Sequence, residues 1–348
     1  MANNINHSLR QNPISKLTGL WKHYGKSFQK ISLILVKWSV MVLSARYLYF
    51  HVIKNTHFDD IYNLSISILT NPTSIWILAV CLLLVFINWG LETMKWRFLI
   101  KSFASISFLR SFAAIMSGNA VSLLTPNRVG EYVGRVFFLD SEVRIKSIFA
   151  TLLGSVSQMI VTLILGVLGF VYFEKSIDAP FYIQLGIGIG GLIFISLLLF
   201  FFFNIRVIRS WLPAKRWSKS IRKYLMVYKL YKNKELETVL LYSLCRYLVF
   251  AFQFYLLLVF FGIQIPLIQA MFLIFLMYAV QTVSPTNGFT ELIVRGGTTA
   301  FLFKGFTPNL AGVLAASYSI WMINLMIPAL FGAVIFGFAR INKRRQAA

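Results

Sequence analysis

The chain has 348 residues, of which 58% are apolar and only 13% charged, too little polar surface to cover two water-soluble domains of that total length. Thirty-four Lys and Arg against eleven Asp and Glu give a formal charge of +23, which in a soluble chain would point to nucleic acid, so its distribution has to be read before its sum. Two cysteines, Cys81 and Cys245, both inside apolar runs, offer neither a disulfide framework nor a thiolate cage, and four scattered His offer no metal site. No Gly-x-Ser-x-Gly, Walker or dinucleotide-binding loop occurs, so no catalytic residue, metal or cofactor is expected.

A spanning helix needs about 20 mostly apolar residues. A basic segment, 1–30, precedes the first apolar run at 31–53, which lacks a small-residue cleavage site and is expected to stay in the chain as a span. Further full spans are predicted at 75–96, 148–173, 181–204, 239–261 and 309–338. Two shorter runs, 108–124 and 267–284, each stop at a Ser/Thr-Pro step and read as half-penetrating helices broken at the hinges Pro126 and Pro285. The expected fold is an all-α polytopic membrane protein with about six full transmembrane helices plus two re-entrant broken half-helices. They form a single membrane domain, 31–340, followed by a basic tail, 341–348.

Lys and Arg are retained on the cytoplasmic side of a membrane. Residues 1–30 carry five, 95–110 four, 135–146 three, 206–234 ten and 340–345 four, whereas loops 54–74, 174–180 and 262–308 hold, outside the second motif below, only Lys54, Lys175 and Lys304. The charge is therefore a topology signal: both termini are expected in the cytoplasm, the membrane is expected to be the inner (plasma) membrane, and nucleic acid is not an expected partner. In the linker 206–234 the ten cations alternate with Trp211, Leu212, Trp217, Ile221, Tyr224, Leu225 and Tyr228, as on an amphipathic helix against anionic inner-leaflet lipid. A solvated basic linker is the plainer alternative.

The two broken segments resemble each other. Thr125-Pro126-Asn127-Arg128-Val129-Gly130-Glu131 runs on to Arg135, and Ser284-Pro285-Thr286-Asn287-Gly288-Phe289-Thr290-Glu291 runs on to Arg295. Each reads hydroxyl, Pro, a turn with Gly and Asn, Glu, three residues, Arg, within repeats of about 75–173 and 239–338. The charge pattern makes the first re-enter from the cytoplasm and the second from outside, an inverted-topology repeat of the kind that places a transporter's substrate site between broken helices. Arg128, Arg135 and Arg295 are then candidates to attract a phosphate, aided by backbone N–H groups where Gly130 and Gly288 open new helices, with Asn287 in the turn. Glu131 and Glu291 would hold the guanidinium groups or take up a proton. The competing reading is an i,i+4 ion pair that merely latches each repeat. Glu92, ahead of Lys95, Trp96 and Arg97, reads as an i,i+3 pair at the inner interface. Asn88, Asn119, Gln158, Arg246, Gln253, Gln281 and Asn324 either line a polar path or bond helix to helix.

The Leu-Thr-Pro-Asn-Arg-Val-Gly-Glu-Tyr-Val-Gly-Arg stretch ending at Arg135, the Ser-Pro-Thr-Asn-Gly-Phe-Thr-Glu block ending at Glu291, and the Asn88-Trp89 and Lys95-Trp96-Arg97 steps resemble the lysylphosphatidylglycerol synthase transmembrane, or flippase-like, family over about 30–340. The second block departs from that family's Pro-Gly-Gly-x-Gly pattern. In the family a comparable module forms the N-terminal part of the bacterial multiple peptide resistance factor and moves aminoacylated phosphatidylglycerol to the outer leaflet. The resemblance implies the transport half alone, since no aminoacyl-transferase domain is present in these residues. The leading expectation is a lipid flippase, not an enzyme, with an anionic phospholipid as substrate. Alternatives are a carrier of polyprenyl phosphate or a polyprenyl-linked sugar, a membrane-embedded lipid transferase, and a scaffold for a partner lipid-modifying enzyme.

Overall fold

The computed structural model describes residues 72–123, 125, 129–175, 180–204, 228, 230–284 and 289–347, with Val42, Arg46 and Tyr49. The expected span 31–53, apart from those three residues, lies outside this set, as do most of the linker 206–234, the hinges Pro126 and Pro285, and Arg128, Asn287 and Gly288. Among the described residues the protein is all-helical, with nine helices and no strand. They are α1 (Pro72–Ile100), α2 (Phe108–Leu123), α3 (Gly130–Val136), α4 (Arg144–Lys175), α5 (Phe181–Phe203), α6 (Asn233–Phe260), α7 (Leu267–Val283) and α8 (Phe289–Phe303). The ninth, α9, runs as Leu310–Trp321, a π-helical stretch Met322–Met326, and Ile327–Ala347. Five of these, α1, α4, α5, α6 and α9, are long and apolar enough to cross a membrane, and they coincide with five of the six expected spans.

Local chemistry sets the helix ends. Gly262, at a φ of 76°, closes α6: its N–H reaches the Val259 carbonyl and the Ile263 N–H the Leu258 carbonyl, the paired bonds of a Schellman motif that only a residue free of Cβ adopts cheaply. Pro266 then stands before α7, where its missing N–H costs nothing. The hydroxyl that opens each motif does the same job in both copies. Thr125 Oγ1 donates towards the Val121 carbonyl at 3.2 Å and Ser284 Oγ to the Val280 carbonyl at 2.7 Å, each four residues back in a helix whose continuation a proline forbids. Thr125 Oγ1 also accepts the Gly130 N–H at 2.7 Å, tying the end of α2 to the start of α3.

α9 has its own interruption. Pro328 has no N–H to give the Asn324 carbonyl four residues earlier, and the turn before it widens so that the Ile327 N–H bonds to Met322 instead. Asn324 sits inside this bulge.

Packing follows a regular exchange between the halves 72–175 and 233–347. α1 and α6 run antiparallel against each other, α4 of the first half packs on α7 of the second, and α9 of the second packs on α2 of the first. The close approaches are made at glycine. A Cβ on Gly169 would lie 2.5 Å from the Phe272 carbonyl oxygen, and one on Gly332 would collide with the Met116 carbonyl. Within the first hairpin, a Cβ on Gly134 would fall 2.5 Å from Gly118 Cα, so α2 and α3 touch backbone to backbone. Two apolar clusters fill the bundle: Trp96, Leu99, Ile115, Leu153 and Val239 where α1 ends and α6 begins, and Phe254, Leu273, Met277, Phe303 and Ile320 at the opposite end. α5 keeps almost all of its surface outward, burying Phe202.

Overpacking of a backbone contact costs about 1–3 kcal/mol, so Gly134→Ala is expected to lower the thermal midpoint of the detergent-purified protein clearly. Gly188→Ala, where the added methyl meets open space, should leave it unchanged. Tryptophan fluorescence during heating distinguishes the two, and equal midpoints would rule out the tight α2/α3 hairpin.

Candidate functional site

The buried charges meet where α1, α3 and α6 converge. Glu92 on α1 is 5% exposed, yet its carboxylate faces three cations: Lys95 Nζ at 2.8 Å, Arg135 Nη2 at 2.9 Å and Arg246 Nη1 at 3.3 Å. Arg135 also pairs with Glu131, one turn earlier on α3. The i,i+3 pair of Glu92 and Lys95 predicted at the interface thus exists, but it is the buried centre of a network and not a surface pair. The reason is geometric: α3 folds back over Gly118 and brings Arg135 to α1 from a sequence distance of 43 residues.

The remaining bonds of these side chains fix their positions. Lys95 lies over Gly154 of α4 and donates to its carbonyl at 3.4 Å. Arg246 Nη1 also donates to Gln158 Oε1 at 3.4 Å, and Gln158 Nε2 to the Ser243 carbonyl at 3.2 Å. The Arg135 guanidinium stands 5.9 Å from the Trp96 ring and that of Arg246 5.7 Å from the Trp89 ring, within range of the attraction between a cation and a ring face. Trp96 is held in turn by its Nε1–H donating to Thr151 Oγ1 at 3.0 Å. Three cations therefore face two carboxylates, and the Nε atoms of Arg135 and Arg246 have no hydrogen-bond partner.

A second polar group sits one turn of α1 away. Asn88 Nδ2 donates to Asn324 Oδ1 at 3.1 Å, Asn324 Nδ2 to Gln253 Oε1 at 2.8 Å, and Gln253 Nε2 to the Cys81 carbonyl at 2.8 Å. Asn119 Nδ2 donates to the Leu325 carbonyl at 3.2 Å, anchoring the bulge of α9 to α2. On the other side of the ion cluster, the Tyr231 hydroxyl donates to the Leu99 carbonyl at 2.6 Å, and Lys101 Nζ lies 3.4 Å from Glu235. Burial, reinforced by the Glu235 carboxylate, pushes the Tyr231 phenol above its ordinary range and keeps it a donor. The polar contacts thus form a file along the α1/α6 line, from Lys101 and Glu235 to Cys81 and Gln253, about 30 Å at 1.5 Å per residue.

Of the residues singled out from the sequence, Gly130, Glu131 and Arg135 lie in the first hairpin, with Gly130 as the first residue of α3. Glu291 and Arg295 lie on α8, 3.5 Å apart. Among the described residues the two motifs do not share one ion cluster: Arg135 pairs with Glu92 and Glu131, and Arg295 with Glu291. Sequence reasoning did not assign Glu92, Lys95 and Arg246 to a common centre. The available signal was that Glu92 and Arg246 are opposite charges inside two predicted spans, each too costly to expose to lipid.

Removing one partner of a buried ion network strands the others, at a cost of about 3–5 kcal/mol. Glu92→Gln is expected to lower the thermal midpoint or the yield of folded protein severely, and adding Lys95→Met should recover part of the loss. Glu131→Gln, whose side chain is 26% exposed, should cost far less. If the Glu131 variant proves the more damaging, Glu92 is not the centre of the network.

The profile of the lysylphosphatidylglycerol synthase TM region family matches residues 38–332, a span that holds both hairpins and the whole polar file. No curated protein and no solved structure matches the chain. The protein is a multi-pass membrane protein and belongs to the lysylphosphatidylglycerol synthase TM region family.

Proposed function

We propose that the protein is a lipid translocator, moving an anionic phospholipid head group between leaflets along the α1/α6 polar file while the acyl tails stay in the bilayer. The observation that carries this reading is the buried file itself, with one positive charge in excess at its centre. Buried charge in an apolar bundle is expensive and marks a path for polar cargo more often than a fold requirement. The same excess charge suits the phosphomonoester of a polyprenyl phosphate, which is the second reading.

An inverted-topology repeat with six full spans and two re-entrant hairpins fits the packing exchange between the halves. Glu131 and Glu291, and Arg135 and Arg295, are separated by the same 160 positions. Along the antiparallel α1/α6 line Glu92 meets Arg246 and the Cys81 carbonyl meets Gln253. A two-fold exchange with that offset crosses the line near Asn88 and Leu248, which would be the bilayer midplane. Glu92 then lies one turn, about 6 Å, to the cytoplasmic side. Such a position, inside the hydrocarbon but off its centre, suits a station passed by a head group. Both termini in the cytoplasm, a plasma-membrane location and contact of 206–234 with anionic inner-leaflet lipid or a partner lipid-modifying enzyme complete the reading.

Reconstituted into vesicles with a trace of head-group-labelled phosphatidylglycerol, the protein should make the inner-leaflet label accessible to an external quencher faster than in protein-free vesicles. Equal rates would dismiss translocation. For the topology, a cysteine at 215 should react only from the cytoplasmic side and one at 59 only from outside; labelling of 215 from outside would reverse the orientation and remove the inverted repeat.

A further inference from the structure

The second hairpin leaves its cation far less satisfied than the first. Arg135 has Glu92 at 2.9 Å in addition to Glu131, whereas among the described residues Arg295 makes one ion pair, with Glu291 at 3.5 Å. α6 supplies no counterpart of Glu92: the residues 160 and 161 positions later are Phe252 and Gln253, and Gln253 is engaged with Cys81 and Asn324. Arg295 is nevertheless 8% exposed, and its Nε and Nη1 have no hydrogen-bond partner.

Its surroundings are polar in the same unfinished way. The Tyr278 hydroxyl on α7 lies beside the Arg295 guanidinium, is buried with its residue 7% exposed, and has no other polar partner among the described residues. One turn on along α7, both amide atoms of Gln281 are buried and unpartnered. Tyr318, also near Arg295, is already used, its hydroxyl donating to the Leu292 carbonyl at 3.3 Å. Buried polar groups in native folds are bonded with few exceptions, and among the described residues Arg295 leaves two of its nitrogens open next to an open phenol. Guanidinium N–H groups and the phenol O–H beside them can present donors to a single oxyanion, and the Gln281 amide one turn further along α7 is open on the same helix.

We infer that Arg295, Tyr278 and Gln281 form the seat for a phosphate oxyanion, and that its occupant is the phosphodiester of a phospholipid. Arg135, by contrast, already has two carboxylates of the protein against it, Glu92 and Glu131. The identification of the occupant as cargo rests on the translocation reading; the seat itself rests on the unpartnered groups.

The test uses the full chain in detergent, titrated calorimetrically with dihexanoyl phosphatidylglycerol, dihexanoylglycerol and inorganic phosphate. Phosphatidylglycerol should bind, the phosphate-free diglyceride should not, and inorganic phosphate should bind far more weakly. Arg295→Lys keeps the charge but loses the planar donor set and should raise the dissociation constant roughly tenfold or more. Tyr278→Phe removes a hydroxyl with no polar partner besides Arg295 among the described residues, so its thermal midpoint should hold or rise while binding weakens several-fold, a split that a purely structural tyrosine would not produce. Equal binding by the wild type and both variants, or equal binding of the diglyceride, overturns the seat. Inorganic phosphate binding as tightly as the lipid overturns the lipid assignment. Binding that depends on Arg295 without translocation in vesicles leaves the seat standing and removes the transport reading, whereas translocation with binding indifferent to Arg295 does the reverse.

Discussion

The Glu92 carboxylate draws cations from α1, α3 and α6 to one buried point, and the first half of the molecule is arranged around that convergence. In water such a cluster would be worth little. In an apolar bundle its charges have no alternative partners, so each helix is held where its cation can reach the acid. The hairpin of α2 and α3 has to turn at Thr125 and press backbone against backbone at Gly118 and Gly134 for Arg135 to arrive there. α4 passes with Gly154 facing α1, and its carbonyl takes the Lys95 ammonium. The glycine contacts and the charge network are thus one constraint seen from two sides, since close approach of backbones is what allows short polar reach without water.

Packing between the halves obeys the same economy of space. Lipid tails are as apolar as leucine, so helices in a membrane gain from shape fit and hydrogen bonds more than from removal of water. Gly169 against Phe272 and Gly332 against Met116 provide the fit where α4 meets α7 and where α9 meets α2. Asn324, bonded to both Asn88 and Gln253, provides the hydrogen bonds where the halves meet.

Much of the fold was legible because hydropathy and length alone specify spanning helices, and α1, α4, α5, α6 and α9 fall where long apolar runs stand in the sequence. The short runs ending at a hydroxyl and a proline marked α2 and α7 for an equally local reason: a helix cannot pass the proline, and the hydroxyl covers a carbonyl left open. Glu131 and Arg135 were legible as a pair from their i,i+4 spacing. Their connection to Glu92 was not, because it depends on how a hairpin lies against another helix, and nothing within either segment encodes that distance. The difference between Arg135 and Arg295 was equally hidden, since the two motifs read alike and differ in what the neighbouring helix presents. Asn88, Gln253 and Asn324 bond helix to helix, whereas the buried amide atoms of Gln281 have no partner among the described residues.

The π-helical stretch of α9 has a consequence for how firmly that meeting point is held. A helix whose turn is already widened ahead of a proline bends and twists there at less cost than one with an unbroken ladder of backbone bonds. Asn324 is in that turn, so one amide that bridges α1 and α6 is mounted on the interrupted part of α9. A twist of one residue at the bulge would swing its side chain by about 100° and release Asn88 and Gln253 together. One of the joints between the halves would thus yield to rotation alone, while the Glu92–Arg246 pair and the bond from Gln253 to the Cys81 carbonyl keep α1 on α6.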